Sequence, residues 1–265
     1  MPSRYWQNLT TEDFAELDRE HAIALLPVGA VEQHGPHLPL STDSAIASGL
    51  IARCLEVLPD ELSVLVLPLQ SVGASGEHGA FAGTLSQSPE TLIAAWCELG
   101  RWVARAGLRK LVIFNSHGGQ PQIVDMVAQR LRIEQAMLVT KVSSFQLGVP
   151  EGLIPEDELR HGIHGGAFET SLMLHLHPAL VRRDKLADFR SLSEHMAGDY
   201  KWLGPHGPAG FAWMAQDLNR AGACGNAASA DAETGRRLLD HMAGALAEIL
   251  AEVARFPLAT FDPAP

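Results

Sequence analysis

The sequence predicts an α/β fold: one three-layer α/β/α domain over residues 1–265, built on a mostly parallel central sheet. Three observations carry that expectation. Several short runs are continuously apolar, which suits strands buried on both faces of a parallel sheet. Stretches of helical period separate them, the alternation expected of βαβ units. Of the 265 residues, 46% are hydrophobic, enough for one sizeable core, and no Ser/Gly-rich linker or charge block divides the chain.

Taken in order, residues 22–28 (AIALLPV) read as the first strand and 43–57 as the helix that follows it. Residues 63–67 (SVLVL) form a second strand, 89–106 a helix, 111–114 (LVIF) a third strand and 121–134 another helix. A fourth strand is read at 137–142 (MLVTKV), with later helices at 166–177 and 232–253. Residues 188–230 are rich in Gly, Ala, Pro and His without clear period. So long an irregular segment is unusual in a compact domain unless it shapes a site or an oligomer contact.

Bulk properties exclude more than they name. The formal charge is −11, from 20 Lys and Arg against 31 Asp and Glu, with no basic patch. Nucleic acid and anionic membrane surfaces both demand cationic partners and are disfavoured. No stretch is long enough to span a membrane, and the N-terminal residues lack an apolar signal core. The three cysteines, Cys54, Cys97 and Cys224, are odd in number and lack CxxC spacing, which suggests buried free thiols in a reducing compartment. A cytoplasmic protein is expected.

The chemistry gathers where strands end. After the first strand come Glu32, His34 and His37, then Asp43. After the second come Ser75, Glu77 and His78 in a glycine-rich stretch, and after the third come His117, Gly118 and Gly119. In open parallel sheets, ligands bind beyond the carboxyl ends of the strands, so the three clusters converge in one cleft. Glu32 and His34 are two apart and project to the same side of an extended segment. Asp43 could touch two ions, and His117 adds a nitrogen from the neighbouring strand. Imidazole and carboxylate without thiolate suit zinc, manganese or ferrous iron. A pair of such ions would lower the pKa of a shared water and polarise a carbonyl. Taken singly, each residue also has a bland reading, such as a helix N-cap for Asp43. The glycine-rich stretch lacks P-loop and dinucleotide spacings, and neither HExxH nor GxSxG occurs.

The run from Leu26 through Glu32, His34 and His37 to Asp43 closely resembles the signature of the creatininase (creatinine amidohydrolase) family. So do Glu77-His78 followed by 81–86 (FAGTLS), Asn115 to Gly119, and His164 to Ser171, with Asp217, Asn219, Gly222 and Gly225 in the family's order. The resemblance spans nearly the whole chain. It implies a two-metal centre of zinc or manganese, a homohexamer, a small-molecule substrate and hydrolysis of a non-peptide amide C–N bond, often in a ring. By position, Glu32 and His117 hold one metal, His34 the other, and Asp43 bridges them, while His164 approaches substrate. Two departures point away from creatinine itself. Gly119 stands where creatininase has an acidic ligand, and the tryptophans that close over creatinine lack counterparts at 142–164. Glu169 is a candidate for the missing ligand, set against a purely structural buried glutamate. His164 or His78 is expected to deliver a proton to the departing nitrogen, with Glu77, Ser75 and Gly118 as candidate substrate contacts. Peptide trimming or deformylation in cofactor maturation is the alternative activity, and a non-catalytic metal- or ligand-binding protein the rival from another class.

Overall fold

The computed structural model describes residues 2–261. Its centre is a four-stranded sheet of β1 (Ile23–Val28), β2 (Val64–Val66), β3 (Lys110–Asn115) and β4 (Leu138–Ser143), in the order β2-β1-β3-β4. Every pairing is parallel, with Ile23 level with both Val64 and Lys110, and Lys110 level with Leu138. Each strand begins or ends within a residue of its sequence-based bounds. β1, β2 and β3 are buried along their whole length, which is why these runs read as continuously apolar.

The side chains alternate between two cores. Ile23, Leu25, Val64, Val66, Val112 and Phe114 pack on one face with helices α1 (Thr42–Val57), α5 (Ala167–Leu176) and α6 (Ala232–Arg255). Ala24, Leu26, Leu65, Leu67, Leu111 and Ile113 pack on the other with α2 (Pro89–Arg105) and α3 (Pro121–Gln135). A short helix, α4 (Glu156–His161), precedes α5. This is the expected three-layer arrangement. Pro27 sits inside β1 without breaking it. The regular β2 ladder stops at Val66, and the Pro27 carbonyl still accepts from Gln70 N at 3.0 Å.

The strand order positions the site. From β1 the chain crosses to β2 on one side, whereas from β3 it crosses to β4 on the other, so β1 and β3 flank the point where the winding reverses. A crevice opens there beyond the strand ends. The segment after β1 leads to Glu32, and that after β3 leads to His117. The irregular segment 188–230 contains only two-residue strands and short helical turns, as its lack of period implies. It lies against the mouth of that crevice, where His164 and Cys224 exchange backbone hydrogen bonds of 3.2 and 2.7 Å. Cys54, Cys97 and Cys224 are free and buried. Among the described residues, no helix is long and apolar enough to cross a membrane.

Candidate metal centre

The side chains of Glu32, His34, Asp43 and His117 are almost wholly buried, and they face one another. His34 Nε2 lies 3.2 Å from Asp43 Oδ1 and 3.8 Å from Glu169 Oε1. His117 Nδ1 lies 3.2 Å from Glu32 Oε2 and 3.4 Å from Asp43 Oδ2. Asp43 therefore presents one oxygen to each imidazole and stands between two donor groups, His34–Asp43–Glu169 and Glu32–Glu77–His117, each compact enough to grip a cation.

Backbone contacts decide which ring nitrogen faces inward. His34 Nδ1 donates to its neighbour's carbonyl, Glu32 O, at 3.1 Å, and His117 Nε2 donates to Ala74 O at 2.7 Å. The opposite nitrogens are left aimed at the carboxylates, the orientation that second-sphere carbonyls give to metal-bound histidine. Glu169 is steadied in the same way, its Oε2 accepting from Gly165 N.

The donor set fits divalent cations on an observation independent of residue type. Glu32 Oε2, His34 Nε2 and Asp43 Oδ2 are buried and have no hydrogen-bond partner. Three such atoms converging in one place are costly unless something satisfies them, and a cation does so. Electrostatics agree. Burial disfavours charge on His34, yet Asp43, Glu169 and Glu32 together outweigh it and raise the imidazole to about 10. His117 is raised in the same way against its own burial, by Glu32 and Asp43. For Glu32, burial works upward, but His117, His164 and His34 prevail and hold it well below the usual carboxylate range. Burial pushes Glu169 up to about 7.

Two further histidines rim this core with opposite proton arrangements. Gln33 Nε2 donates to Gly222 O at 2.8 Å and to His78 Nδ1 at 2.7 Å, while its Oε1 accepts from Gly35 N at 2.9 Å. His78 therefore carries its proton on Nε2, 3.5 Å from Glu32 Oε1. His164 Nε2 donates to Gln33 O at 2.7 Å, leaving Nδ1 bare and 3.8 Å from Glu32 Oε1. Burial lowers His78 to about 4; it lowers His164 too, and the neighbouring His34 and His78 push it down further. Both rings are neutral near pH 7, one a donor and one an acceptor. The rings stack, with centroids 4.4 Å apart.

Above the donors opens a cavity of about 730 Å³. Its floor includes Glu32, Asp43, His117 and Glu169, and its wall is apolar and aromatic: Phe145, Ile154, Leu159, Phe168 and Trp213. Among the described residues lining it there is no Lys or Arg. Trp213, from the irregular segment, is fixed by donating to Pro205 O at 3.2 Å.

Of the residues singled out in the sequence, Glu32, His34, Asp43, His117, Glu169, His78, His164 and Glu77 come together here. Gly118 lines the cavity. Ser75 does not; it is fully buried, with its backbone N donating to Ser86 Oγ at 2.9 Å. Three organising residues had been given no role. Gln33 orients both rim histidines. His37 donates from Nε2 to Gly165 O at 2.9 Å. Glu158 accepts from Ala167 N at 2.7 Å and Asn226 N at 2.8 Å, tying together the segments that carry His164. Gln33 and His37 were readable as polar residues inside the Glu32–His34 cluster, whereas Glu158 sits in an ordinary acidic helix and carries no such signal.

A parallel α/β sheet that carries a carboxylate–imidazole cluster at its winding reversal, on the floor of a cavity, has the form of a hydrolase. More particularly, the chain belongs to the creatininase family, whose profile, described as creatinine amidohydrolase, matches residues 7–250. It is 34% identical to the mycofactocin precursor peptide peptidase of Mycolicibacterium smegmatis over 180 residues, 67% of each chain. It is also 34% identical to the creatinine amidohydrolase of Pseudomonas putida over 182 residues, 63% of this chain and 68% of that one. Among solved structures, an E122Q mutant creatininase of Zn-Zn type superposes with a TM-score of 0.75 at 26% identity, covering 98% of this chain and 99% of that one.

Proposed function

We propose that this protein is a metal-dependent amidohydrolase that adds water across an amide C–N bond of a small, uncharged or cationic nitrogenous compound, releasing an amine and a carboxylate. The observation that carries this reading is two neighbouring donor groups, His34–Asp43–Glu169 and Glu32–Glu77–His117, with Asp43 facing both His34 and His117 and with buried atoms that lack hydrogen-bond partners, at the floor of a cavity. Glu32 and His117 would hold one divalent ion, zinc or manganese, His34 and Glu169 the other, and Asp43 both. When bound, such a pair lowers the pKa of water and polarises a carbonyl oxygen.

The chain's own groups supply the rest. His164, with Nε2–H held by Gln33 O, offers Nδ1 to take a proton from the attacking water and return it to the departing nitrogen. His78, held from the other side by Gln33, offers Nε2–H to the oxygen on which charge develops. The apolar wall excludes bulk water and orients the rest of the substrate. A phosphate-bearing compound fits poorly, because no cation on the wall would pair with it.

Peptide trimming is the second reading, favoured by the cavity's size and aromatic wall and by the similarity to the peptide peptidase. We also carry forward, as proposals, a homohexamer and a cytoplasmic location. The test is amine release from a panel of cyclic amides, formamides and short peptides by protein stripped of metal and reloaded with Zn²⁺ or Mn²⁺. Turnover that depends on metal and collapses in Asp43→Asn supports the reading. Tight metal binding with no release from any panel member supports the sequestering protein instead.

A further inference from the structure

Glu77 was read from the sequence as a substrate contact, but its surroundings are those of a ligand. It lies on the turn Gly76–His78 and turns its carboxylate inward, its side chain only 21% exposed. Oε1 stands 3.7 Å from His117 Nε2 and 3.9 Å from His78 Nε2. Neither contact is a hydrogen bond at that range. The His117 proton on Nε2 is already committed to Ala74 O at 2.7 Å. An acid in this position has come within 4 Å of two imidazoles without hydrogen-bonding to either.

Gly119 shows that the approach is built in. A Cβ at that position would lie 2.0 Å from Glu77 Oε1, so the carboxylate occupies the volume that any side chain at 119 would take. The neighbouring Gly118 has nothing within 4 Å of its own Cβ position. Donor atoms of Glu77, Glu32 and His117 all lie within 4.8 Å of one another.

We infer that Glu77 is a metal ligand, supplying the second carboxylate to the ion held by Glu32 and His117 through the space left open by Gly119. This rests on the proposal of a two-metal centre. It assigns that ion two carboxylates and an imidazole besides its share of Asp43, and leaves His78 Nε2–H free to face substrate.

The test is metal binding rather than turnover. Chelator competition with Mn²⁺ and Zn²⁺ should resolve two sites in the wild-type protein. Glu77→Gln should weaken one of them about 10-fold or more and leave the other in place, while Glu77→Asp should recover part of the loss. With Co²⁺ loaded instead, Glu77→Gln should change the visible absorption of one ion only. Two sites of wild-type affinity and unchanged spectrum in Glu77→Gln overturn the inference and leave the metal centre standing. Failure of the wild-type protein to bind two ions overturns the centre itself. Should Glu77→Gln not fold, a crystal of wild-type protein loaded with Mn²⁺ decides: a Glu77 oxygen about 2.0–2.3 Å from an ion supports ligation, and one beyond about 3 Å from both refutes it.

Discussion

Gly118 and Gly119 are adjacent glycines beside one cavity, and the same substitution at each should have opposite consequences. In Gly119→Ala the new Cβ would lie 2.0 Å from Glu77 Oε1, 2.6 Å from His117 Nε2 and 2.9 Å from its Cε1. The glutamate can swing away, but the His117 ring is fixed by its bond to Ala74 O and by burial. To reach ordinary contact at 3.4 Å the ring must move about 0.8 Å. That shift strains the fold by about 1–3 kcal/mol and stretches the bond that orients the ring. Displacing an oriented imidazole and an adjacent carboxylate should lower metal affinity by about 10- to 100-fold. In Gly118→Ala the methyl meets open space, and affinity and melting temperature should stay at wild-type values. Chelator competition and thermal unfolding, run on both variants with and without metal, provide the comparison. Equal affinity in the two variants would refute the account of why position 119 has no side chain.

Three other outcomes are expected. Glu169→Gln should reduce metal content from two ions to one, since Glu169 completes the His34–Asp43 group; two ions per chain by elemental analysis would make it a purely structural residue. His164→Asn should cut kcat by about 10²–10⁴-fold with metal content unchanged, whereas a parallel loss of metal would reassign His164 as a ligand. Burial lowers His37 to about 4 from an ordinary value near 6.5. A histidine depressed in the fold contributes stability above the unfolded value and loses it as pH falls through the folded one. Stability should therefore drop by about 3 kcal/mol between pH 6.5 and 4 on its account, and His37→Gln should flatten that part of a denaturant-derived pH profile.

Much of this was legible because the sheet is so thoroughly buried. A strand covered on both faces is apolar through its middle, so β1, β2 and β3 announce themselves, and any polar residue at or just past their ends stands out. Glu32, His34 and His117 are visible for that reason, and Asp43 because it opens the next helix. β4 was harder to read, since its outer positions are only half-buried and Thr140 and Lys141 interrupt the pattern. Spacing alone does not say which way a turn faces: Ser75, expected from the sequence to contact substrate, is fully buried and absent from the cavity lining, while Glu77 and His78 beside it line the cavity. Glu169 was visible only through the family resemblance, as it lies in the first turn of a helix and would be read as a helix-start acid.

The division of labour between regular and irregular chain bears on specificity. Glu32, Asp43, His117 and Glu169 come from strand ends and helix starts, where backbone hydrogen bonding leaves little freedom. The groups proposed to meet a substrate are held differently. His164 is bridged to Cys224, Gln33 is anchored on Gly222, and Trp213 is pinned to Pro205, all three partners lying in the irregular segment 188–230. Changes in that segment can therefore reshape the apolar wall and re-aim the proton-carrying rim without touching a donor atom. Relatives of one family can in this way keep a common centre and yet act on a cyclic amide or a peptide. Substitutions at Trp213 or Phe145 should accordingly alter KM and substrate preference while leaving metal affinity where it was.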